Sequence, residues 1–486
     1  MEAIERMITF DYDAKKRKGK LICDNDILTF IRNHFSVKNA SAGFANRKLK
    51  MQGSTQKIPE RQFCIQPTGN FDFGIYNEIR KFLISEQITE IEFTENFKKN
   101  LVVGLSSERV IDTLKYPLRD YQKETVEKCL KFGRGTVVLA TGGGKSLVQA
   151  SLLENIKISK GNLSCLLIVP GTGLVHQLLK DFKEYEVSFT FSAWTGEMDT
   201  KGNKTSPLQD TEVIIVNTEN LCSQFGNYKH LIDVDFVLTD ECHKTKFGNE
   251  MSKIISKIKT PNKFGFTGTL PKDKMDVWKI IGTFGPSIFE KNSKELRDEK
   301  YLTNTDVKII KIIHPKVFKF GYKREVEYLE ELPERNQLIG TIASKLKKNV
   351  LILVNHLEHG RELFRYCDTH NKECYFISGE VPVDDRQKII DFMERRDDII
   401  VIAMSSIFST GINVKNLHYV MFTFGGKSFI RTIQSIGRGV RLHESKEKLV
   451  IFDICDNMKY SMEHLDERIA FYEEEQHTWT QTEIKI

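Results

Sequence analysis

The sequence predicts an α/β chain: two tandem, doubly wound parallel-sheet lobes behind a small α+β amino-terminal domain. Two series of short apolar runs carry that prediction. The first is TVVLA (136–140), CLLIVP (165–170), VIIVNT (213–218), FVLTDE (236–241) and KFGFTGT (263–269). The second is VLILVN (350–355), CYFISG (374–379), IIVIAMS (399–405), YVMFTF (419–424) and LVIFDI (449–454). These runs lack polar alternation, which suits strands buried on both faces of a parallel sheet. Helical stretches such as KSLVQASLLENIKI and RQKIIDFMERR lie between them, so strand–helix alternation occurs twice.

The domain boundaries follow from where the pattern changes. Residues 1–100 are basic and irregular, then helical near 75–83, and form the small α+β domain. The lobes are placed at 115–290 and 305–460, joined through the charged stretch near 290–305. Residues 461–486 read as an acidic helical tail. A chain of 486 residues is too long for one compact core, which agrees with several domains.

Charge is unevenly spread. Residues 1–57 hold twelve Lys/Arg against six Asp/Glu, and residues 463–486 hold seven acids against two bases. A basic end suits a polyanionic partner, although a solvated surface would look the same. No run approaches the about 18 apolar residues of a membrane span. The opening MEAIERMITF lacks the apolar core of a signal peptide. Nine scattered cysteines without a CxxC pair read as reduced core thiols of a cytoplasmic protein.

Chemistry concentrates in three motifs. ATGGGKS (140–146) follows a strand and precedes a helix, the setting in which glycines let backbone N–H groups approach a phosphate. Thr141, Gly142, Gly143 and Gly144 would form the cradle. Lys145 would reach the β/γ-phosphates, and Ser146 would hold Mg²⁺. The strict phosphate-loop pattern asks for Gly at 139, where this chain has Leu139. DECH (240–243) ends the run FVLTDE: Asp240 can hold Mg²⁺ through water and Glu241 can orient an attacking water. His243 is either a sensor of the γ-phosphate or a cap for the next helix. QSIGRGVR (434–441) places Arg438 and Arg441 on one helical face, beside the small Gly437. Guanidinium groups on developing phosphoryl charge accelerate transfer by roughly 10³–10⁵.

The ordered set LRDYQ (118–122), ATGGGKS, VPGTGLVHQ (169–177), DECH, TGT (267–269), STGINV (409–414) and QSIGRGVR resembles superfamily 2 helicases of the DExH kind, over about residues 115–455. The resemblance implies RecA-like lobes, ATP and Mg²⁺ as cofactors, and ATP hydrolysis stimulated by nucleic acid. It implies adenine recognition by Arg119 and Gln122, with Gly411 also at the nucleotide. Catalysis falls to Lys145, Asp240, Glu241, Gln434, Arg438 and Arg441. It implies nucleic-acid contacts at Pro170, Gly171, Thr172, Thr218, Thr410 and Asn413, and coupling through His243, Thr267 and Thr269.

More narrowly, FSTGINVKNLHYV and FDFGIYNEIRKFL resemble UvsW-type phage recombination helicases. That likeness implies single-stranded and branched DNA as substrates, recombination, replication and repair as the setting, and recombination or replication proteins as partners. It further implies host cytoplasm if the chain is phage-encoded. RNA is the alternative substrate for the same motor, and a duplex translocase subunit without strand separation is a third reading.

Overall fold

A computed structural model describes the chain apart from residues 1–6, 40–41, 54, 102–103, 106–109, 198–205, 208–209, 247, 320, 369–371, 409–415 and 425–447. The chain forms two compact units, Met1–Leu139 with Gly144–Glu290, and Ala140–Gly143 with Lys291–Ile486.

The first unit begins with a four-stranded mixed sheet in the order Asn70–Phe71, Lys18–Ile22, Ile8–Asp13, Ile91–Phe93. A hairpin joins the two middle strands, with Asp13 accepting from the Lys16 N–H at 3.0 Å and Arg17 in the left-handed region. Helices Asn25–His34, Ala42–Met51, Tyr76–Ser85 and Glu95–Leu101 accompany this sheet. Its core is rich in phenyl rings: Phe10, Phe35, Phe71 and Phe97 are fully or almost fully buried.

The same unit continues into a seven-stranded sheet. Its order is Ser287–Lys291, Gly135–Leu139, Lys263–Thr267, Phe236–Thr239, Cys165–Val169, Val213–Asn217, Phe191–Trp194. Pairing through its body is parallel. Every residue of Cys165–Val169 and Val213–Asn217 is buried, as strands covered by helices on both faces must be. The amino-terminal domain is seated on the helix Lys274–Phe284 of this lobe. Trp278 packs into the phenyl-rich core with its ring 5.1 Å from that of Phe35, and Lys279 Nζ lies 2.7 Å from Asp72. Gly74 and Gly282 allow the close approach: a Cβ on either would overlap the facing chain, Ile281 O or Asp72 Cβ respectively.

The second unit holds the second seven-stranded sheet, ordered Glu373–Ile377, Ile399–Met404, Val350–Val354, Tyr419–Phe422, Lys448–Asp456, Asn304–Ile313, Thr478–Lys485. All of its pairings are parallel. Each seven-stranded sheet with its helices is a RecA-like lobe, as the sequence predicts. One expectation is corrected. Residues 461–486 are not a helical tail throughout: helix Lys459–Glu474 is followed by strand Thr478–Lys485, paired with Asn304–Ile313. The segment TWTQTEIK alternates β-branched and aromatic residues with polar ones, a pattern that suits an edge strand despite nearby acids. The connecting stretch near 290–305 contains helix Ser293–Asp298 and the start of a ten-residue strand at Asn304.

Helix Lys459–Glu474 is tied to its sheet by a buried cluster. Asp453 Oδ2 accepts from Arg468 Nε and from the Tyr472 hydroxyl, both at 2.8 Å. Among the described residues no helix is long and apolar enough to cross a membrane.

Candidate functional site

Parallel pairing puts the carboxyl ends of neighbouring strands along one edge of the sheet, where open α/β sheets bind ligands. In the first unit that edge carries the residues following Val169, Asn217, Thr239 and Thr267, together with the start of helix Lys145–Lys160. Four of the motifs are therefore neighbours because of topology, although ATGGGKS ends at Ser146 and TGT begins only at Thr267.

Gly144 caps helix Lys145–Lys160 at φ 81° and ψ 39°, a conformation that costs other L-residues about 1–2 kcal/mol. A Cβ there would overlap the side-chain nitrogen of Gln122. Gln122 is itself fixed: its Oε1 accepts the Arg119 N–H at 3.0 Å in a capping box that starts helix Asp120–Phe132. The Arg119 guanidinium donates to the Tyr121 hydroxyl at 3.2 Å. Gln122, anchored on the Arg119 backbone, thus stands beside the glycine that caps the lysine-bearing helix. Ala140–Gly143 is the preceding loop. There Ala140 N–H donates to Lys291 O at 3.0 Å, Gly143 N–H donates to Ala140 O, and Gly142 has φ 84°.

Lys145 Nζ donates to Leu139 O at 3.2 Å and lies 3.9 Å from Glu241 Oε1. The Ser146 hydroxyl is 3.0 Å from that of Tyr185, at the carboxyl end of helix Thr172–Glu184. Asp240 continues the strand ladder through its N–H to Ile168 O at 2.8 Å. Glu241 is in the left-handed region at φ 49°, a strained setting for a residue with a side chain. The buried Cys242 sits against Gly265, where a Cβ would come 2.9 Å from its sulfur. Burial and the two carboxylates beside it push that thiol well above its ordinary pKa, so it is inert packing.

A polar line leaves Glu241. His243 Nδ1 is 3.2 Å from Glu241 Oε2 and 2.9 Å from the Thr267 hydroxyl. That hydroxyl donates to Thr269 O at 2.8 Å, so its oxygen accepts from His243 and Nδ1 carries the proton. His243 caps no helix here; it bridges two strand ends, one bearing the acids and the other bearing TGT. Along the same edge, Pro170 and Gly171 lead into helix Thr172–Glu184, and Thr218 starts helix Thr218–Gln224 with its hydroxyl donating to Val169 O at 3.1 Å.

Thr410, Gly411, Asn413, Gln434, Arg438 and Arg441 lie outside the described residues. Tyr121 and Tyr185 are contacts that motif reading misses: Tyr121 sits inside LRDYQ, whereas nothing local to Tyr185 marks it.

This arrangement of lobe, loop and motif order defines a class, and comparison agrees with it. Residues 115–272 match the family described as type III restriction enzyme, res subunit, and residues 333–443 match the helicase conserved C-terminal domain. The chain belongs to the superfamily 2 helicases and is an ATP-dependent helicase. Among individual proteins it is 28% identical to the ATP-dependent DNA helicase UvsW of Enterobacteria phage T4, over 85% of this chain and 88% of that protein. It is 25% identical to the DNA 3′-5′ translocase XPB2 of Sulfurisphaera tokodaii, over 77% of this chain and 88% of that one. A putative HsdR subunit fragment of a type I restriction enzyme from Vibrio vulnificus shares the fold, with TM-score 0.56, 14% identity, and coverage of 92% and 83%.

Proposed function

We propose that this helicase acts on DNA and that its task is to unwind or branch-migrate forks and four-way junctions in recombination, replication and repair. The observation that carries the motor reading is the line Lys145–Glu241–His243–Thr267, which runs from the phosphate-loop lysine to the TGT motif. The DNA reading is supported by the likeness to a phage DNA helicase along most of both chains.

In this reading Arg119 and Gln122 recognise adenine, and Thr141, Gly142, Gly143, Gly144 and Lys145 take the phosphates. Ser146 and Asp240 suit Mg²⁺, which takes hard oxygen donors and one or two carboxylates beside substrate phosphates. When bound, the ion neutralises charge on the transferring phosphoryl group. Glu241 orients the water. Gln434, Arg438 and Arg441 act on the same phosphates, the arginines as charge stabilisers, with Gly411 also at the nucleotide. Pro170, Gly171, Thr172 and Thr218 hold the nucleic-acid backbone, as do Thr410 and Asn413. His243, Thr267 and Thr269 pass the state of the nucleotide between the acid-bearing and TGT-bearing strand ends. The first hundred residues, with basic runs at 15–20 and 47–50, grip the junction. Such a protein works in the cytoplasm, that of the host if the chain is phage-encoded, alongside recombination or replication proteins.

The test is ATP turnover on single-stranded DNA, duplex DNA, four-way junctions and RNA at matched nucleotide concentration. Strongest stimulation by single-stranded or branched DNA is expected. Preferential stimulation by RNA would favour the RNA-helicase alternative.

A further inference from the structure

Between the amino-terminal domain and the first lobe lies a cavity of about 110 Å³, within the first compact unit. Lys16, Arg17 and Lys18 reach it from the hairpin turn, and Arg134, Lys259 and Lys263 from the lobe. The carboxylate among its lining residues is Asp72, which is shared between Lys18 at 3.5 Å and Lys279 at 2.7 Å. Backbone carbonyls hold three of the cations. Arg17 donates to Lys257 O at 2.7 Å, Arg134 to Phe284 O and Thr283 O at 3.3 and 3.2 Å, and Lys263 to Ile255 O and Ile258 O at 2.7 and 3.0 Å. A carbonyl orients a cation but leaves its charge uncancelled. Among the described residues no carboxylate pairs with Arg17, Arg134 or Lys263.

We propose that this cavity is an oxyanion site that takes one phosphate group, distinct from the nucleotide site. Its size sets the class of ligand, because a nucleotide or other drug-sized ligand needs about 300–1,000 Å³. A tetrahedral phosphate fits, with the rest of any larger molecule left outside. Cations that line one space and are held by carbonyls rather than carboxylates, as Arg17, Arg134 and Lys263 are, suit such a group. Lys16 and Lys259 add charge that they share with Asp13 and Asp233, at 3.7 and 2.5 Å. Lys263 responds to what fills it: burial lowers its amine to about 7, reinforced by Arg134, Arg17 and Lys279 and opposed by Asp72. An anion in the cavity favours the ammonium form, so binding takes up a proton above neutrality. The phosphate can come from a nucleic-acid backbone or from a small free phosphate.

Inorganic sulfate is the probe, since its charge is constant from pH 6.5 to 8.5. Titration calorimetry uses the full chain at low salt with ADP–Mg²⁺ saturating. Wild type should bind sulfate, more weakly at pH 8.5 than at pH 6.5. Arg17→Ala/Lys259→Ala should lose at least fivefold in affinity, and Lys263→Met, tested separately, should lose the pH dependence. A parallel arm titrates single-stranded DNA against salt. A log–log slope lower by about 0.7 in the double variant assigns the phosphate to a nucleic-acid strand. An unchanged slope with sulfate binding lost assigns it to a free phosphate. Absence of sulfate binding in wild type, or affinity and pH profile unchanged in both variants, overturns the proposal.

Discussion

Replacing Gly144 with alanine tests the nucleotide site at its tightest point. The backbone there is left-handed, at φ 81°, and an added Cβ would overlap the Gln122 amide nitrogen. Two costs follow. The left-handed conformation is about 1–2 kcal/mol less favourable for alanine than for glycine. Moving Gln122 also loosens its bond to the Arg119 N–H, and loss of a helix cap costs about 1 kcal/mol. Together these set about 2–3 kcal/mol against the loop geometry, or roughly 30- to 160-fold in ATP kcat/KM. The assay is steady-state hydrolysis with saturating single-stranded DNA, alongside urea unfolding. Gly161→Ala is the internal control at the other end of the same helix. It has φ 75°, and nothing lies within 4 Å of its Cβ position. That variant should lose about 1–2 kcal/mol of stability and keep its turnover. If Gly144→Ala hydrolyses ATP as well as the control, Gly144 and Gln122 do not shape a nucleotide site.

Other perturbations probe separate parts of the account. Glu241→Gln should bind ATP with near-normal affinity while turnover falls at least a hundredfold; equal turnover removes Glu241 from orienting the water. Thr267→Val removes the hydroxyl that joins His243 to Thr269 O, so hydrolysis should stay within about fivefold while strand separation falls much further. Parallel losses in both would mean the hydroxyl carries no coupling. Arg468→Met leaves Asp453 buried without its cation, a change that costs about 3–5 kcal/mol, readable as a lower urea midpoint. Lys263 has its folded-state pKa lowered to about 7, below the about 10.4 of an unfolded lysine. Between those values the unfolded chain binds more protons, so stability rises with pH. Without phosphate or sulfate present, Lys263→Met should reduce that rise by up to about 1.4 kcal/mol per pH unit.

Sequence patterning reaches the centre of each sheet and misses most of its margins, the edge strand Glu373–Ile377 excepted, for a physical reason. Strands such as Cys165–Val169 and Val350–Val354 are buried on both faces and read as unbroken apolar runs. Phe191–Trp194 and Thr478–Lys485 are edge strands, and Asn304–Ile313 interleaves Asp306, Lys308 and Lys311 with apolar residues. Their polar content hides them among loops. The motif residues of the first lobe were legible as types, because glycines, a lysine and paired acids follow apolar runs. Their convergence depends on strand order, which no local pattern states. The left-handed Glu241, the Ser146–Tyr185 contact and the His243–Thr267 bond are tertiary facts of this kind. So is the seat of the amino-terminal domain: Asp72 and Lys279 meet across more than two hundred residues of chain.

The central claim, an ATP-driven motor that remodels branched DNA, is tested most directly by strand separation on a labelled four-way junction. Wild type should resolve the junction only with ATP and Mg²⁺, Lys145→Ala should fail while remaining folded, and an RNA duplex of matched length should be left largely paired. Junction resolution by Lys145→Ala at the wild-type rate, or efficient unwinding of RNA with no action on the junction, would contradict the account.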